Sequence, residues 1–162
     1  MTHAPATAQP DVRPWRVEVE TPADGPAVEA LVLDAFGPGR FAKTAERLRE
    51  DAHVAAGFLI RAEGRVIGSV RLWTITVDGA PALFLGPIAV DAASRSGGMG
   101  ADLVQACLDH AGDTGVLLVG EPPYFSRFGF RPAPDARLPG PVDQRRVMWL
   151  GAGEAAGPVL AA

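Results

Sequence analysis

A glycine-rich stretch carries the clearest chemical signature in this sequence. Residues 97–100 read Gly-Gly-Met-Gly, after the apolar segment 83–90 and before a run with the apolar spacing of a helix. The first amide groups of a helix have no intrahelical partner, and the helix dipole favours negative charge at that end. Glycines also let a ligand approach the backbone closely. We therefore expect a phosphate-bearing ligand in front of this helix start.

Two familiar phosphate-binding motifs do not fit this stretch. A dinucleotide-binding fold places its first glycine directly after the strand and a third glycine inside the helix. Here Gly98 lies eight positions after Val90, and Leu103 occupies the position of the third glycine. A P-loop needs a Gly-Lys-Ser or Gly-Lys-Thr sequence at the end of its glycine run, and none follows here. Both motifs are excluded.

A third motif does fit. The run Arg95-Ser-Gly-Gly98-Met-Gly100, after a strand ending Leu-Gly-Pro-Ile-Ala-Val, resembles the coenzyme A pyrophosphate loop of the GNAT superfamily of N-acetyltransferases. Residues 124–130, Tyr-Phe-Ser-Arg-Phe-Gly-Phe, are similar to the Tyr-x-x-x-Gly-Phe segment of that family, where a short helix runs beside the coenzyme's thiol end. The chain is identified as a member of that superfamily over residues 15–150. The resemblance implies acetyl-CoA as cosubstrate and a primary amine of a small molecule or peptide as acceptor. No His/Cys cluster has zinc spacing, so we expect no metal.

The resemblance also implies how the coenzyme is held. A strand would pair with the pantetheine arm as if the arm were another strand, and the glycine-rich loop would hold the pyrophosphate. The residues assigned to coenzyme binding are Ile88, Ala89, Val90, Arg95, Ser96, Gly97, Gly98, Met99, Gly100 and Ala101. Acetyl transfer would be direct. The amine attacks the thioester carbonyl, a strand amide stabilises the oxyanion, and an acid protonates the leaving thiolate.

The sequence departs from the family pattern at the position of the acid that protonates the leaving thiolate. The usual acid position falls on Phe125, which has no proton to give, and Tyr124, the only tyrosine, precedes it. Adjacent helical residues point about 100° apart, so the two side chains do not share one position. We predict Tyr124 as the acid; in the alternative, water protonates the thiolate and Tyr124 only packs. A second hypothesis is a catalytically inactive acyl-CoA-binding regulatory or interaction module, and a third is a structural domain without acyl-CoA binding.

The general base must come from outside the strand that precedes the glycine-rich loop, because residues 82–90 contain no acid. Glu121 follows an apolar strand directly and lies close to the predicted acid in the sequence. It is our first choice as the base on position alone. Asp34 and His53, from the predicted flanking segments, are the alternatives.

Hydrophobic periodicity predicts the elements that position these residues. Trp15, Val17 and Val19 alternate with charged residues as in a strand with one buried face, and Thr21-Pro22 suits a helix start. The predicted strands are 15–19, 57–62, 66–77, 82–90, 116–119 and 145–150, and the predicted helices are 21–36, 41–52, 99–111 and 124–128. The order β-α-α-β-β-β-α-β-α-β implies an α/β fold with a mixed sheet. By the resemblance, this sheet is splayed at its centre to admit the coenzyme.

Composition sets the remaining expectations. The length of 162 residues suits one domain, which we place at 15–150 between a disordered tail at 1–14 and a C-terminal tail at 151–162. The net charge of −4 and the lack of a basic block argue against nucleic acid as a partner. No apolar run is long enough for a membrane span and no secretory signal is visible, so we expect a cytoplasmic protein. The single Cys107 belongs to an apolar helix face, and a homodimer is possible.

Overall fold

The computed structural model describes residues 14–37, 44–95, 97–140 and 142–162. The described helices are α1 (Gly25–Phe36), α2 (Thr44–Asp51), α3 (Met99–Ala111) and α4 (Pro122–Phe125). The strands are β1 (Val17–Val19), β2 (Val54–Ala62), β3 (Arg65–Val77), β4 (Ala80–Leu85), β5 (Ala89–Val90), β6 (Val116–Val119), β7 (Arg131–Pro132), β8 (Ala136–Arg137), β9 (Val147–Leu150) and β10 (Gly157–Ala161). The predicted element order is present, with further short strands after α4.

The strands form one mixed sheet in the order β1-β2-β3-β4-β6-β9-β7, with β5 and β10 also paired to β3. Side chains of β2 alternate between the two faces, as expected for a strand buried on both sides. Phe58 and Ile60 pack with α3, whereas Leu59 packs with α1. Helices therefore cover both faces of the sheet.

The sheet opens at its centre. Strand β4 pairs in parallel with β6 at only two positions, the last being Phe84 opposite Leu117. Beyond that point β5 stays beside β3, with Ala89 opposite Ser69, while β6 stays beside β9. The two halves of the sheet separate from there onward. The predicted mixed and splayed sheet is confirmed.

The single strand predicted at 82–90 is two strands. Strand β4 ends at Leu85 and β5 begins at Ala89, with Gly86 and a cis Pro87 in the gap. Gly86 has a φ of +137°, which favours glycine, and its carbonyl accepts a hydrogen bond from Trp73 Nε1 at 2.5 Å. Pro87 has no N–H to donate to a neighbouring strand. This local chemistry interrupts the strand just ahead of the glycine-rich loop.

The prediction of a C-terminal tail at 151–162 is wrong for Gly157–Ala161, which form strand β10. Strand β10 pairs antiparallel with β3, with Val159 opposite Val77, and it also pairs in parallel with β8. Val159 is 1% exposed and fills the core on that side of the sheet. Gly157 permits this approach, because a Cβ atom there would lie 2.9 Å from the Asp78 side chain. The domain therefore extends past the predicted boundary at 150. The predicted tail at 1–14 lies almost wholly outside the described residues.

Helix α3 anchors the core on its own face of the sheet. Leu103, Val104 and Cys107 are fully buried on its inner side, as the apolar spacing predicts. Burial raises the pKa of the Cys107 thiol to about 12, so this side chain acts as a small apolar group. None of the helices in the described ranges has both the length and the apolar character needed to cross a membrane. The same ranges hold no group of three or more His, Cys, Asp or Glu residues arranged for a metal.

Candidate active site

A cleft of about 660 Å³ lies between β5, the start of α3, the end of α1 and α4. This volume is typical of clefts that bind small molecules. Its lining consists of Ala35, Phe36, Ile88, Ala89, Val90, Ser94, Arg95, Gly98, Met99, Gly100, Ala101, Tyr124 and Arg127. Every predicted coenzyme-binding residue that the structure describes is in this set except Gly97. Ser96 lies outside the described residues.

The glycine-rich loop leads into α3 through one left-handed residue. Gly98 has a φ of +93°, a conformation that side-chain-bearing residues adopt only with strain. Helix α3 begins at Met99, and Asp102 N–H makes its hydrogen bond back to Gly98 O at 3.1 Å. The amides of residues 99–101 precede that bond, so an anion in the cleft can accept hydrogen bonds from them.

Arg95 precedes the loop and folds back toward β5. Its Nε donates a hydrogen bond to Val90 O at 3.1 Å, and its side chain lines the cleft. Arg127 contributes a second guanidinium from the opposite wall. Among the described lining residues there is no Asp or Glu, so the charge of the cleft suits an anionic ligand.

Tyr124 and Phe125 point in different directions. Phe125 is 9% exposed and packs in the core against Phe130, with their ring centroids 6.0 Å apart. Tyr124 lines the cleft, and a Cβ atom on Gly100 would lie 3.5 Å from its hydroxyl oxygen. The guanidinium carbon of Arg127 lies 4.4 Å from the centre of the tyrosine ring. The Tyr124 phenol therefore faces the first turn of α3, whereas Phe125, at the family's acid position, belongs to the hydrophobic core.

The three candidate bases do not line the cleft. The Glu121 side chain is 71% exposed, and its Oε1 lies 3.7 Å from Arg146 Nη2. Asp34 is exposed on α1, and His53 is exposed ahead of β2. The described part of the cleft has no imidazole or carboxylate. The geometry thus brings the predicted acid to the site but none of the predicted bases.

Sequence reasoning missed two cleft residues at the end of α1. Ala35 and Phe36, at the end of this helix, line the cleft, and Phe36 is 43% exposed. The available signal was an aromatic residue just before the Gly37-Pro-Gly break, where a helix must stop. Periodicity alone gives no reason for such a residue to face a ligand.

A second polar cluster lies on the other side of α1, next to β3. Arg71 Nη2 donates to Glu20 at 2.7 Å, and its Nη1 donates to Glu29 at 2.9 Å. The hydrogen bond to the Glu20 carboxylate raises the pKa of Arg71 above its usual value. Between this cluster and Pro87 lies a cavity of only about 20 Å³. The described residues leave little open space here between α1 and β3.

A mixed sheet that opens beside a glycine-led helix defines the class: the fold is that of the acyl-CoA N-acyltransferases. The chain belongs to the acetyltransferase (GNAT) family, whose sequence model matches residues 26–130. The family and enzyme class that the sequence predicts are thereby confirmed.

Proteins similar to this chain in sequence and in structure include N-acetyltransferases of the same family. The uncharacterized N-acetyltransferase YhbS of Escherichia coli strain K12 is 36% identical over 120 residues, which cover 70% of this chain and 72% of that protein. The crystal structure of Escherichia coli YhbS in complex with CoA has a TM-score of 0.74 and 29% identity, covering 91% of this chain and 89% of that one. A GNAT family acetyltransferase from Brucella melitensis in complex with acetyl-CoA shares the fold, with a TM-score of 0.67, 22% identity and coverage of 91% and 96%.

Proposed function

We propose that this protein transfers an acetyl group from acetyl-CoA to a primary amine of a small molecule or peptide. One observation carries the proposal: strand β5, the left-handed Gly98 with the start of α3, and the Tyr124 hydroxyl all border a single cleft. These are an extended backbone edge, a set of helix amides and a proton donor. Together they match the pantetheine arm, the pyrophosphate and the thiol of one ligand.

The residues present fit coenzyme A. Strand β5 pairs with β3 along one edge, and no described strand pairs with its other edge. That edge can accept an extended pantetheine arm by the hydrogen-bonding pattern of an added strand. The amides of residues 98–101 suit the pyrophosphate, and the absence of a side chain on Gly100 leaves space beside Tyr124.

In this arrangement the coenzyme supplies an activated thioester, and the chain supplies position and protons. Backbone N–H groups on the outer edge of β5 stabilise negative charge on the carbonyl oxygen. The Tyr124 phenol gives its proton to the leaving sulfur. The geometry favours proton loss from the amine to solvent over transfer to Glu121, because that carboxylate faces Arg146.

Direct binding is the first test. Isothermal titration of the protein with acetyl-CoA should give saturable binding, with a comparable signal for CoA. A panel of amines, including small polyamines, aminosugars and peptide N-termini, should then be screened by detection of released thiol. Failure of acetyl-CoA to bind at millimolar concentration would overturn the proposal.

Acetyl transfer by the wild type separates an enzyme from a binding module, and Tyr124→Phe then tests the acid. The second candidate function, an inactive acyl-CoA-binding regulatory module, is favoured by the buried Phe125 at the family's acid position. If Tyr124 is the acid, we expect the transfer rate to fall about 100-fold. The dissociation constant for acetyl-CoA should change less than about twofold, since the ring and its packing remain.

Glu121→Gln is the matched comparison for the base. A rate within about twofold of the wild type supports proton loss to solvent. A large loss, with a shifted pH dependence of kcat, assigns the base to Glu121 instead. If wild type and Tyr124→Phe transfer acetyl groups equally fast, the phenol is not the acid and the alternative with water as proton donor holds.

A further inference from the structure

Trp15, two residues ahead of β1, packs over the glycine-rich loop. Its indole Nε1 donates a hydrogen bond to Asp102 Oδ2 at 2.9 Å and so connects residues 87 positions apart. A Cβ atom on Gly97 would lie 3.4 Å and 3.5 Å from two carbons of the indole ring. Neither Trp15 nor Asp102 belongs to the described lining of the cleft. The tryptophan thus contacts both flanks of the loop from outside the cleft.

The indole of Trp15 lies within contact distance of Gly97, the first glycine of the loop. Gly98 needs glycine because of its positive φ, but Gly97 is not among the described residues with a positive φ. Backbone conformation therefore does not demand glycine at 97. A Cβ atom at this position would be in ordinary van der Waals contact with the indole ring. Loop and ring are packed against each other.

Asp102 brings a charge that must be kept apart from an anionic ligand. It lies in the first turn of α3, where the helix dipole stabilises a carboxylate. The same end of the helix is where a pyrophosphate would bind, and two like charges at one site repel each other. The hydrogen bond from the indole N–H is one contact that orients the carboxylate toward Trp15, outside the described lining of the cleft.

We propose that Trp15 is a positioning residue for the coenzyme. Through its ring it fixes Gly97, and through its N–H it fixes Asp102, so that the amides at the start of α3 face the pyrophosphate. The proposal rests on the proposed function, since it concerns binding of the same coenzyme in the same cleft. It adds a residue, remote in sequence from the loop, on which donor affinity depends.

Two substitutions at Trp15 test it, with a matched control elsewhere. Trp15→Phe keeps an aromatic ring but removes the N–H donor, and Trp15→Ala removes the ring as well. Trp149→Phe is the control, because Trp149 lies in the core on the opposite face of the sheet from α3, away from the loop. We expect the Kd for CoA to rise about fivefold in Trp15→Phe and further in Trp15→Ala. Trp149→Phe should leave the Kd within about twofold, whatever it does to the melting temperature.

A truncated ligand shows where the affinity is lost. S-acetyl-pantetheine lacks the pyrophosphate, so wild type and Trp15→Phe should bind it equally. Once an acceptor amine is known, KM for acetyl-CoA should rise in Trp15→Phe with kcat unchanged. A merely structural role would instead lower the melting temperature and weaken both ligands alike.

The outcomes are distinct. Equal Kd values for CoA in wild type and both Trp15 variants overturn the inference and leave the proposed function standing. Weakening of CoA and S-acetyl-pantetheine to the same extent, or an equal loss in Trp149→Phe, also overturns it. If the wild type binds no CoA, the proposed function fails and the inference fails with it. Trp15→Phe alone decides the matter if Trp15→Ala does not fold.

Discussion

Two cavities that α1 helps to line differ in size and in charge. At the end of the helix, the cleft of about 660 Å³ is lined by backbone, aromatic rings and two arginines, with no described carboxylate. Beside the middle of the helix, the cavity of about 20 Å³ borders Glu29 and Arg71, which are ion-paired. On this side of α1 the carboxylates of Glu20 and Glu29 are paired with Arg71. The cleft at the end of α1 instead offers hydrogen-bond donors and positive charge, which an anionic coenzyme requires.

We expect the largest effect from a substitution of Gly98, which lines the cleft. A glutamate there must adopt a φ of +93°, and it places a side chain and a negative charge where the pyrophosphate is proposed to bind. We expect the Kd for CoA to rise by about 100-fold or more, because like charges at one site cost several kcal/mol. Isothermal titration of Gly98→Glu measures this directly.

Gly64→Glu is the matched control for that prediction. Gly64 has a φ of +78° in the turn between β2 and β3, with open space around its Cβ position. The substitution imposes the same charge change and a similar backbone strain away from the cleft. It should lower the melting temperature and keep the CoA affinity. Equal affinities in Gly98→Glu and wild type would show that the glycine-rich loop does not hold the coenzyme.

Removing Arg71 from its ion pairs should lower the stability of the fold and leave the affinity for CoA unchanged. In Arg71→Met the Glu20 carboxylate, 10% exposed, loses its main partner, while Glu29 can turn toward water. An unpaired buried charge costs about 3 kcal/mol, so the free energy of unfolding in urea should fall by about that amount. Affinity for CoA should stay within about twofold, because the Arg71 side chain does not line the described cleft.

Two further variants check this interpretation. Adding Glu20→Gln to Arg71→Met removes the stranded charge and should recover part of the lost stability. Arg65→Met makes the same substitution at an exposed position and should change the free energy of unfolding by less than about 0.5 kcal/mol. If Arg71→Met were as stable as Arg65→Met, the cluster would not stabilise the fold.

The parts of the site that the sequence predicts are local in the chain. The glycine-rich loop, the strand before it and the helix after it are contiguous, so their resemblance to the GNAT loop covers all three at once. The choice of Tyr124 over Phe125 follows from chemistry, because phenylalanine has no proton to give, and the structure directs only Tyr124 into the cleft. Local predictions of this kind are the most tractable, because neighbouring residues have few relative orientations.

The parts that sequence reasoning missed depend on contacts between distant segments. The pairing of β10 with β3 and the hydrogen bond from Trp15 to Asp102 both join residues more than 80 positions apart. Phe36 faces the cleft only because α1 is placed beside β5 by the sheet. The Glu121 prediction relied on position after a strand, and its exposed carboxylate is paired with Arg146. No local pattern encodes these tertiary neighbours.

We expect the smallest effect from a substitution of Asp24, the ion-paired residue directly before α1. Asp24 accepts a hydrogen bond from Arg61 at 2.6 Å and others from Thr21 at 2.9 Å and 3.0 Å. These contacts, chiefly the one from Arg61, lower the pKa of Asp24 from 3.8 to about 2. Because the folded pKa lies below the unfolded one, the carboxylate stabilises the fold above about pH 4. That contribution is lost as the pH falls from about 4 to about 2.

Asp24→Asn should therefore be less stable than wild type at pH 7, with the difference closing between about pH 4 and pH 2. Urea unfolding at a series of pH values measures it. The same substitution in an Arg61→Gln background should give a smaller pH-dependent difference, because the main cause of the lowered pKa is gone and only the contacts from Thr21 remain. A wild-type to Asp24→Asn difference that stays constant through this range would show that the carboxylate is not held by Arg61 in solution. The cleft should be unaffected throughout, since Asp24 lies among the ion pairs at the start of α1 and not among the residues that line the coenzyme site.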